Sequence, residues 1–209
     1  MSVGLLDDLR DGIMLNLAPL SVGQYQQMIR DGILHDGEAI ELIQGALFYK
    51  DRRDEQGSIM THGPRHLRSV NKLMALLSQW VASRQAFLQV QGPIVVADTS
   101  EPEPDCCLIR GTPDDFVDRV PTASDALAVF EVSFSSLPSD RRTKQRLYAG
   151  ASIPVYVIVN LQDNLIEVMS EPSAAEGRYL NQSISHPSET VVVTLADLGE
   201  LSFAGTNLL

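Results

Sequence analysis

Cysteine is scarce in this sequence, and its two cysteines, Cys106 and Cys107, are direct neighbours. A disulfide framework needs cysteines spread along the chain, so we expect both to be reduced thiols packed in a strand. No apolar run approaches the roughly 18 residues that a membrane helix needs. The amino terminus carries early acids instead of the basic region of a signal peptide. These absences predict a cytoplasmic protein without a membrane segment.

Several catalytic signatures are missing as well. The sequence contains no Gly-x-Ser-x-Gly elbow, no Walker A loop, no Gly-x-Gly-x-x-Gly and no His-Glu-x-x-His. The enzyme classes that depend on those motifs therefore gain no support, and any active site must be found from individual residues.

Positive charge is also in short supply. The chain has 16 Lys and Arg against 27 Asp and Glu, a net charge of −11. Phosphate binding gains most of its affinity from cationic surface that releases counterions, so this balance counts against tight, non-specific DNA binding. Two basic clusters remain, Arg65–Arg68–Lys72 and Arg141–Arg142–Lys144–Arg146. They either form a local DNA-binding face or are the solvated faces of helices.

The composition is that of a globular protein. At 209 residues, with 44% hydrophobic and 21% charged residues, the chain fits a single α/β domain over residues 1–209. Residues 1–18 have weak periodicity and are predicted to be a loose arm. Residues 50–57 are predicted to be a polar loop.

Apolar spacing and turn residues divide the chain into helices and strands. The predicted helices are Val22–Arg30 (capped by Ser21 and ended by Gly32), a strongly amphipathic helix over residues 64–84, and a short one over residues 139–149. The predicted strands are a hairpin over residues 39–49 that turns at Gln44–Gly45, then residues 87–96, 105–109, 126–134, 154–160 and 165–169, with weaker strands at 179–183 and 190–193. This order predicts a mixed β-sheet with helices on its faces and one parallel crossover.

Three acids stand in otherwise apolar strands: Glu41, Asp105 and Glu131. A period of two places Glu131 in one row with Leu127, Val129 and Ser133. A lone carboxylate is costly to bury, so it should be paired, hydrogen-bonded or bound to a cation. Carboxylates on separate strands are the hard oxygen ligands that Mg²⁺ or Mn²⁺ prefers. The alternative is that each acid caps a turn, lies at an edge or pairs with an arginine.

Other polar residues admit two interpretations. Lys144 shares one helix face with Asp140 and Tyr148, and it either serves a site or forms an ordinary helical ion pair. His66 begins the amphipathic helix and is predicted to be structural. The cysteines point to opposite strand faces, which favours packing over metal binding.

The sequence resembles the Uma-two family of predicted restriction endonucleases, from about residue 20 to residue 193. No single stretch is specific, but their order and spacing together are. The matching stretches are Leu20-Ser-Val-Gly-Gln-Tyr25, Glu41-Leu-Ile-Gln-Gly45, Gly63-Pro-Arg-His66, Glu103-Pro-Asp105, Phe130-Glu-Val-Ser133, Asp140-x-x-x-Lys144-x-x-x-Tyr148 and Ile153-Pro-Val-Tyr156.

This resemblance implies the PD-(D/E)XK nuclease superfamily: a restriction-endonuclease-like α/β (α+β) fold, usually in homodimers. It implies that Asp105 and Glu131 bind Mg²⁺ or Mn²⁺, with the Val132 carbonyl as a third ligand, and that Glu41 matches an amino-terminal acidic position. The fold's usual lysine position holds Ser133, and Lys144 matches the helix-borne lysine of the family. Gln44 and Phe134 depart from the family pattern.

The resulting hypothesis is a metal-dependent endonuclease that hydrolyses phosphodiester bonds in DNA, with Glu41, Asp105, Glu131 and Lys144 as its candidate catalytic residues. Two alternatives stay open at this point. The first is a non-catalytic protein that keeps the nuclease fold for a binding or regulatory role. The second is a structural module whose acids all form salt bridges.

Overall fold

The computed structural model describes residues 18–35, 38–50 and 63–209. Residues 1–17 of the predicted amino-terminal arm and residues 51–57 of the predicted polar loop lie outside these residues. In chain order the elements are α1 (Val22–Arg30), β1 (Ile40–Ile43), β2 (Ala46–Tyr49), α2 (Pro64–Val81), β3 (Ala86–Val90), β4 (Cys106–Arg110), a 3₁₀ turn (Pro113–Phe116), β5 (Ala126–Ser133), α3 (Leu137–Ser139), a π-helical turn (Asp140–Lys144), α4 (Gln145–Gly150), β6 (Val155–Asn160), β7 (Leu165–Ser173), β8 (Arg178–Ser185), β9 (Thr190–Thr194), a 3₁₀ turn (Ala196–Leu198), β10 (Glu200–Ala204) and a 3₁₀ turn (Gly205–Asn207).

The central sheet has six strands in the order β3-β4-β5-β6-β7-β8. Only β5 and β6 are parallel neighbours, and the chain crosses between them through α3, the π-helical turn and α4. The other pairs in this sheet are antiparallel. The predicted mixed sheet and its parallel crossover are therefore confirmed.

The amino-terminal elements form where the sequence predicts them. The Ser21 hydroxyl accepts a hydrogen bond from the Gln24 amide, and the Gln24 side chain accepts one from the Ser21 amide, which caps α1. Strands β1 and β2 form the predicted hairpin. Its turn residues Gln44 and Gly45 have φ of 50° and 81°. A β-carbon on Gly45 would overlap Pro19, so glycine is required there.

Two apolar layers cover the two faces of the sheet. One contains the buried face of α2 and the β9–β10 hairpin, and the other contains residues of α3 and α4. Cys106 lies in the first layer and Cys107 in the second, which confirms their opposite directions. Leu127 was predicted to share the face of Val129 but packs in the opposite layer. The pairing of β4 with β5 skips Leu127, so a β-bulge turns its side chain over.

Several predicted boundaries are wrong. The strand predicted over residues 87–96 ends at Val90, because Gln91 has φ of 49° and Pro93 offers no N–H for pairing. The helix predicted over residues 64–84 ends at Val81. Strand β10 was not predicted, although its buried residues Leu201 and Phe203 alternate with exposed ones.

The helix predicted over residues 139–149 is interrupted. It begins earlier, at Leu137, and its middle is the π-helical turn Asp140–Lys144. Such a turn is wider than an α-helical one, and sequence periodicity alone does not reveal it. Among the described residues, no helix is both long enough and apolar enough to cross a membrane.

Candidate active site

Glu131 lies at the centre of a buried polar cluster between β5 and the crossover helices. Its side chain faces the layer that contains α4, and the residue is 4% exposed. Lys144 Nζ donates to Glu131 Oε1 at 2.9 Å, and the Tyr148 hydroxyl donates to the same oxygen at 3.0 Å. Lys144 and Tyr148 share a helix face, as their spacing predicts. Tyr148 was not predicted as a site residue, although that spacing was the available signal.

Glu41 reaches the same cluster from the β1–β2 hairpin. The ammonium of Lys144 lies 3.2 Å from Glu41 Oε1, which also accepts from the Glu103 amide at 2.8 Å. The hairpin is held there because the Glu101 amide donates to the Leu42 carbonyl at 2.8 Å. The Lys144 ammonium therefore bridges two carboxylates from different parts of the chain. The structure brings together Glu41, Glu131 and Lys144, three of the four predicted residues.

Asp105, the fourth, lies directly beside Glu131. It precedes β4, and its amide is 3.4 Å from Glu131 Oε2. Asp105 Oδ2 accepts from the Val132 amide at 2.9 Å and is 3.1 Å from His66 Nε2. His66 reaches Asp105 from the first turn of α2. The structural role predicted for His66 did not include this contact. Its place in the Gly63-Pro-Arg-His66 stretch was the signal in the sequence.

The pKa values of the two central acids, Glu131 and Asp105, are shifted in opposite directions. Burial raises the pKa of Glu131 to about 8, and the charges of Asp140, Asp105 and Glu41 act in the same direction against Lys144. Burial also disfavours charge on Asp105, but the hydrogen bond and charge of His66 and the Val132 amide outweigh it and lower its pKa to about 2. The site thus holds one carboxylate firmly ionised beside another that is costly to ionise.

The cations respond to these acids. Burial disfavours the charged form of Lys144, yet Glu131 and Glu41 outweigh that cost and raise its pKa well above the usual value. The hydrogen bond to Asp105 likewise overcomes burial and raises the pKa of His66. Both groups therefore carry positive charge more readily because of the acids they contact.

The residues fit a hard divalent cation only in part. Within the ranges that the structure describes, no three or more His, Cys, Asp or Glu side chains are grouped to hold a metal ion. Asp105 and Glu131 together offer two carboxylates, and Mg²⁺ is commonly bound by one or two carboxylates with water completing its shell. Val132 contributes its amide to Asp105. Its carbonyl as a ligand stays a prediction.

The basic clusters are not uniformly solvated. Arg65 donates to the Leu161 carbonyl at 3.2 Å, and Lys72 donates to the Leu209 carbonyl at 2.9 Å. Arg141 is bound to Glu167 at 2.7 Å. Several of these cations therefore stabilise the fold, which reduces the charge available to a phosphate backbone.

A comparison with protein families matches residues 22–204 to Uma2, described as "Putative restriction endonuclease". The chain belongs to the Uma2 family. This confirms the family predicted from the sequence and indicates a nuclease of the restriction-endonuclease kind. No curated protein matches this Uma2 chain.

A solved structure has the same architecture as this Uma2 chain. It is the crystal structure of a "putative nuclease belonging to DUF820" from Anabaena variabilis, with a TM-score of 0.66 and 13% sequence identity. The match covers 91% of this chain and 97% of the other. At that identity the likeness shows the fold alone, and it confirms the predicted nuclease-like mixed sheet flanked by helices.

Proposed function

We propose that this Uma2 chain is a metal-dependent endonuclease that hydrolyses phosphodiester bonds in DNA, using Mg²⁺ or Mn²⁺. One observation carries the proposal. The Lys144 ammonium lies between Glu41 and Glu131, and Asp105 lies beside Glu131. Three carboxylates and one ammonium group packed this closely suit a reaction that binds a charged phosphate and activates a water molecule.

The chemistry of the donors supports a cation at Asp105 and Glu131. Burial is the main cause of the raised pKa of Glu131, and the charges of Asp140, Asp105 and Glu41 add to it, so that Lys144 offsets the cost of ionising this carboxyl only in part. A divalent ion would relieve that cost. Bound there, it would supply a water of lowered pKa and neutralise charge on the phosphate.

The side chains around the two acids have separate roles in this proposal. His66 and the Val132 amide hold Asp105 in its ionised form. Tyr148 orients Glu131 through Oε1. The Lys144 ammonium orients the attacking water or stabilises the transition-state oxyanion. Glu41 fixes the position of that ammonium through Oε1.

Cleavage assays test the proposal. Purified protein with Mg²⁺ or Mn²⁺ is expected to cut a single-stranded, duplex or branched DNA substrate, and Asp105→Ala is expected to abolish the cutting. Asp114→Ala removes an exposed aspartate outside the cluster and serves as the matched control. If wild type and Asp105→Ala behave alike on all three substrates, the proposal fails.

A second function is favoured by a specific observation. Lys144 already pairs with both Glu41 and Glu131, and Ser133 stands where the superfamily's usual lysine would be. These contacts suit a non-catalytic protein that binds or regulates through a nuclease fold. Divalent-metal titration by calorimetry separates the two, because only the second function is compatible with no binding at millimolar metal.

We also propose DNA as the partner and a homodimer as the assembly. Strand β8 is the last strand of the sheet, and its Leu180 and Ile184 are about half exposed. Analytical ultracentrifugation tests the assembly, and a monomer at micromolar concentration would contradict it.

A further inference from the structure

We propose that Ser133 and Asp140 are positioning residues, which hold the π-helical turn so that Lys144 reaches Glu131 and Glu41. The chemical importance of Lys144 rests on the proposed function. The positioning itself is a property of the fold, and it is measurable without any turnover.

The first support is a short buried hydrogen bond. Ser133 lies two residues after Glu131 on β5, so both side chains point to the same face of the strand. The Ser133 hydroxyl donates to Asp140 Oδ2 at 2.6 Å, and the two residues are 0% and 2% exposed. Asp140 is the first residue of the π-helical turn and Lys144 is the last. The bond therefore ties the start of that turn to the strand that carries Glu131.

Two further contacts fix the same turn to the sheet. The Tyr156 hydroxyl, from β6, donates to the Asp140 carbonyl at 3.3 Å. Arg141 donates to Glu167 of β7 through Nε and a terminal nitrogen, at 3.0 and 2.7 Å. The carboxylate end of this contact is buried, since Glu167 is 2% exposed, while the Arg141 side chain is 40% exposed. The turn is thus held against three neighbouring strands at consecutive residues.

This arrangement gives a reason for serine at position 133. A lysine on the strand itself would have its position set by the strand, together with Glu131. A lysine on a helix has no such tie, and its flexible four-carbon stem adds more freedom. The helix must then be fixed relative to the strand by other contacts. Ser133 supplies one from the strand position that the lysine would otherwise occupy.

The chain has only three lysines, Lys50, Lys72 and Lys144, which makes a direct measurement practicable. A lysine ammonium gives an observable nitrogen–proton NMR signal when hydrogen bonds protect its protons from exchange with water. We expect a protected signal from the buried Lys144, assigned by its loss in Lys144→Met. The signal of Lys50, which is bound to Glu103 at 3.2 Å, serves as an internal reference.

Four variants of the full chain test the positioning. Ser133→Ala and Asp140→Ala are expected to abolish the protected Lys144 signal. Asp140→Asn keeps an acceptor for the serine and is expected to retain it. Ser69→Ala is the matched control: Ser69 is 3% exposed and donates to the Leu208 carbonyl at 2.7 Å, far along the chain from Lys144. It is expected to keep the signal even where its melting temperature falls.

Opposite results would overturn the proposal. Retention of the Lys144 signal in Ser133→Ala or Asp140→Ala, its loss in Asp140→Asn, or its loss in the Ser69 control each contradicts positioning by this bond. Where the alanine variant of Ser133 does not fold, Ser133→Cys keeps the volume with only a weak donor and should give the same loss.

Kinetics provide a second and separate measurement. In an active preparation, Ser133→Ala should lower kcat at least tenfold with KM unchanged, while Ser69→Ala should leave both unchanged. A rise in KM with an unchanged kcat would contradict the inference. Absence of cleavage in the wild type contradicts the proposed function alone, because the NMR result still decides whether Ser133 and Asp140 position Lys144.

Discussion

Replacing Glu131 by glutamine should change how stability depends on pH. The pKa of Glu131 is about 8 in the folded protein against a reference value of 4.5, chiefly because the carboxyl is buried. The folded state therefore holds this proton more tightly than the unfolded state does. The wild type is expected to lose stability relative to Glu131→Gln as the pH rises from about 4.5 towards 8, and to lose nothing further above that range.

The size of the effect follows from the same values. One pKa unit corresponds to about 1.4 kcal/mol, so between pH 5 and pH 7 the stability of the wild type relative to the variant should fall by about 2–3 kcal/mol. The glutamine also lacks the charge that attracts Lys144. This difference shifts the unfolding free energy of the variant by a nearly constant amount, so it has little influence on how the two proteins differ in pH dependence over this range.

Urea unfolding at pH 5, 6, 7 and 8, with chelator present to exclude divalent ions, measures this difference. Glu200→Gln removes an exposed carboxylate and is the control for the loss of one negative charge. A constant difference between wild type and Glu131→Gln, or a wild type that gains relative stability as the pH rises, would refute the reasoning. Such a gain is what a module built only on favourable salt bridges predicts.

Three further predictions concern the site and the core. Lys144→Met leaves Glu41 and Glu131 buried without their cation and should destabilise the chain by about 3–5 kcal/mol in urea unfolding; a loss below about 1 kcal/mol would contradict the buried pairing. His66→Ala removes the main group that keeps Asp105 ionised, so the acid limb of the pH–rate profile should move to higher pH, and an unmoved limb would argue against that contact. Leu77→Ala opens a cavity at a fully buried position and should cost about 2–5 kcal/mol without a change in activity per folded molecule.

Local signals predicted much of the fold. The Ser21 cap, the turn at Gln44–Gly45 and the apolar stripe of α2 each depend on neighbouring residues, and all three appear where expected. The features that the sequence did not predict are those that depend on tertiary contacts or on irregular backbone. The bulge at Leu127 and the π-helical turn both insert a residue into a regular pattern, which periodicity does not detect.

The candidate site divides in the same way. Misplaced charge in apolar strands marked Glu41, Asp105 and Glu131, because an acid in such a strand is costly unless something compensates it. Among the partners that compensate them, Lys144 was predicted as a site residue, whereas His66 and Tyr148 were not. His66 and Tyr148 are ordinary helix residues in the sequence, and only the packing of α2 and α4 against the sheet brings them to Asp105 and Glu131.

The bridge made by Lys144 also has a consequence for biosynthesis. Lys144 follows Glu41 by 103 residues and Glu131 by 13. During translation Glu41 and Glu131 are therefore added to the chain before the lysine that pairs with both of them. A contact of such long sequence separation carries a loop-closure entropy cost that is met before the contact itself is gained. A nascent or truncated chain that ends before Lys144 therefore carries Glu41 and Glu131 without the cation that pairs with both.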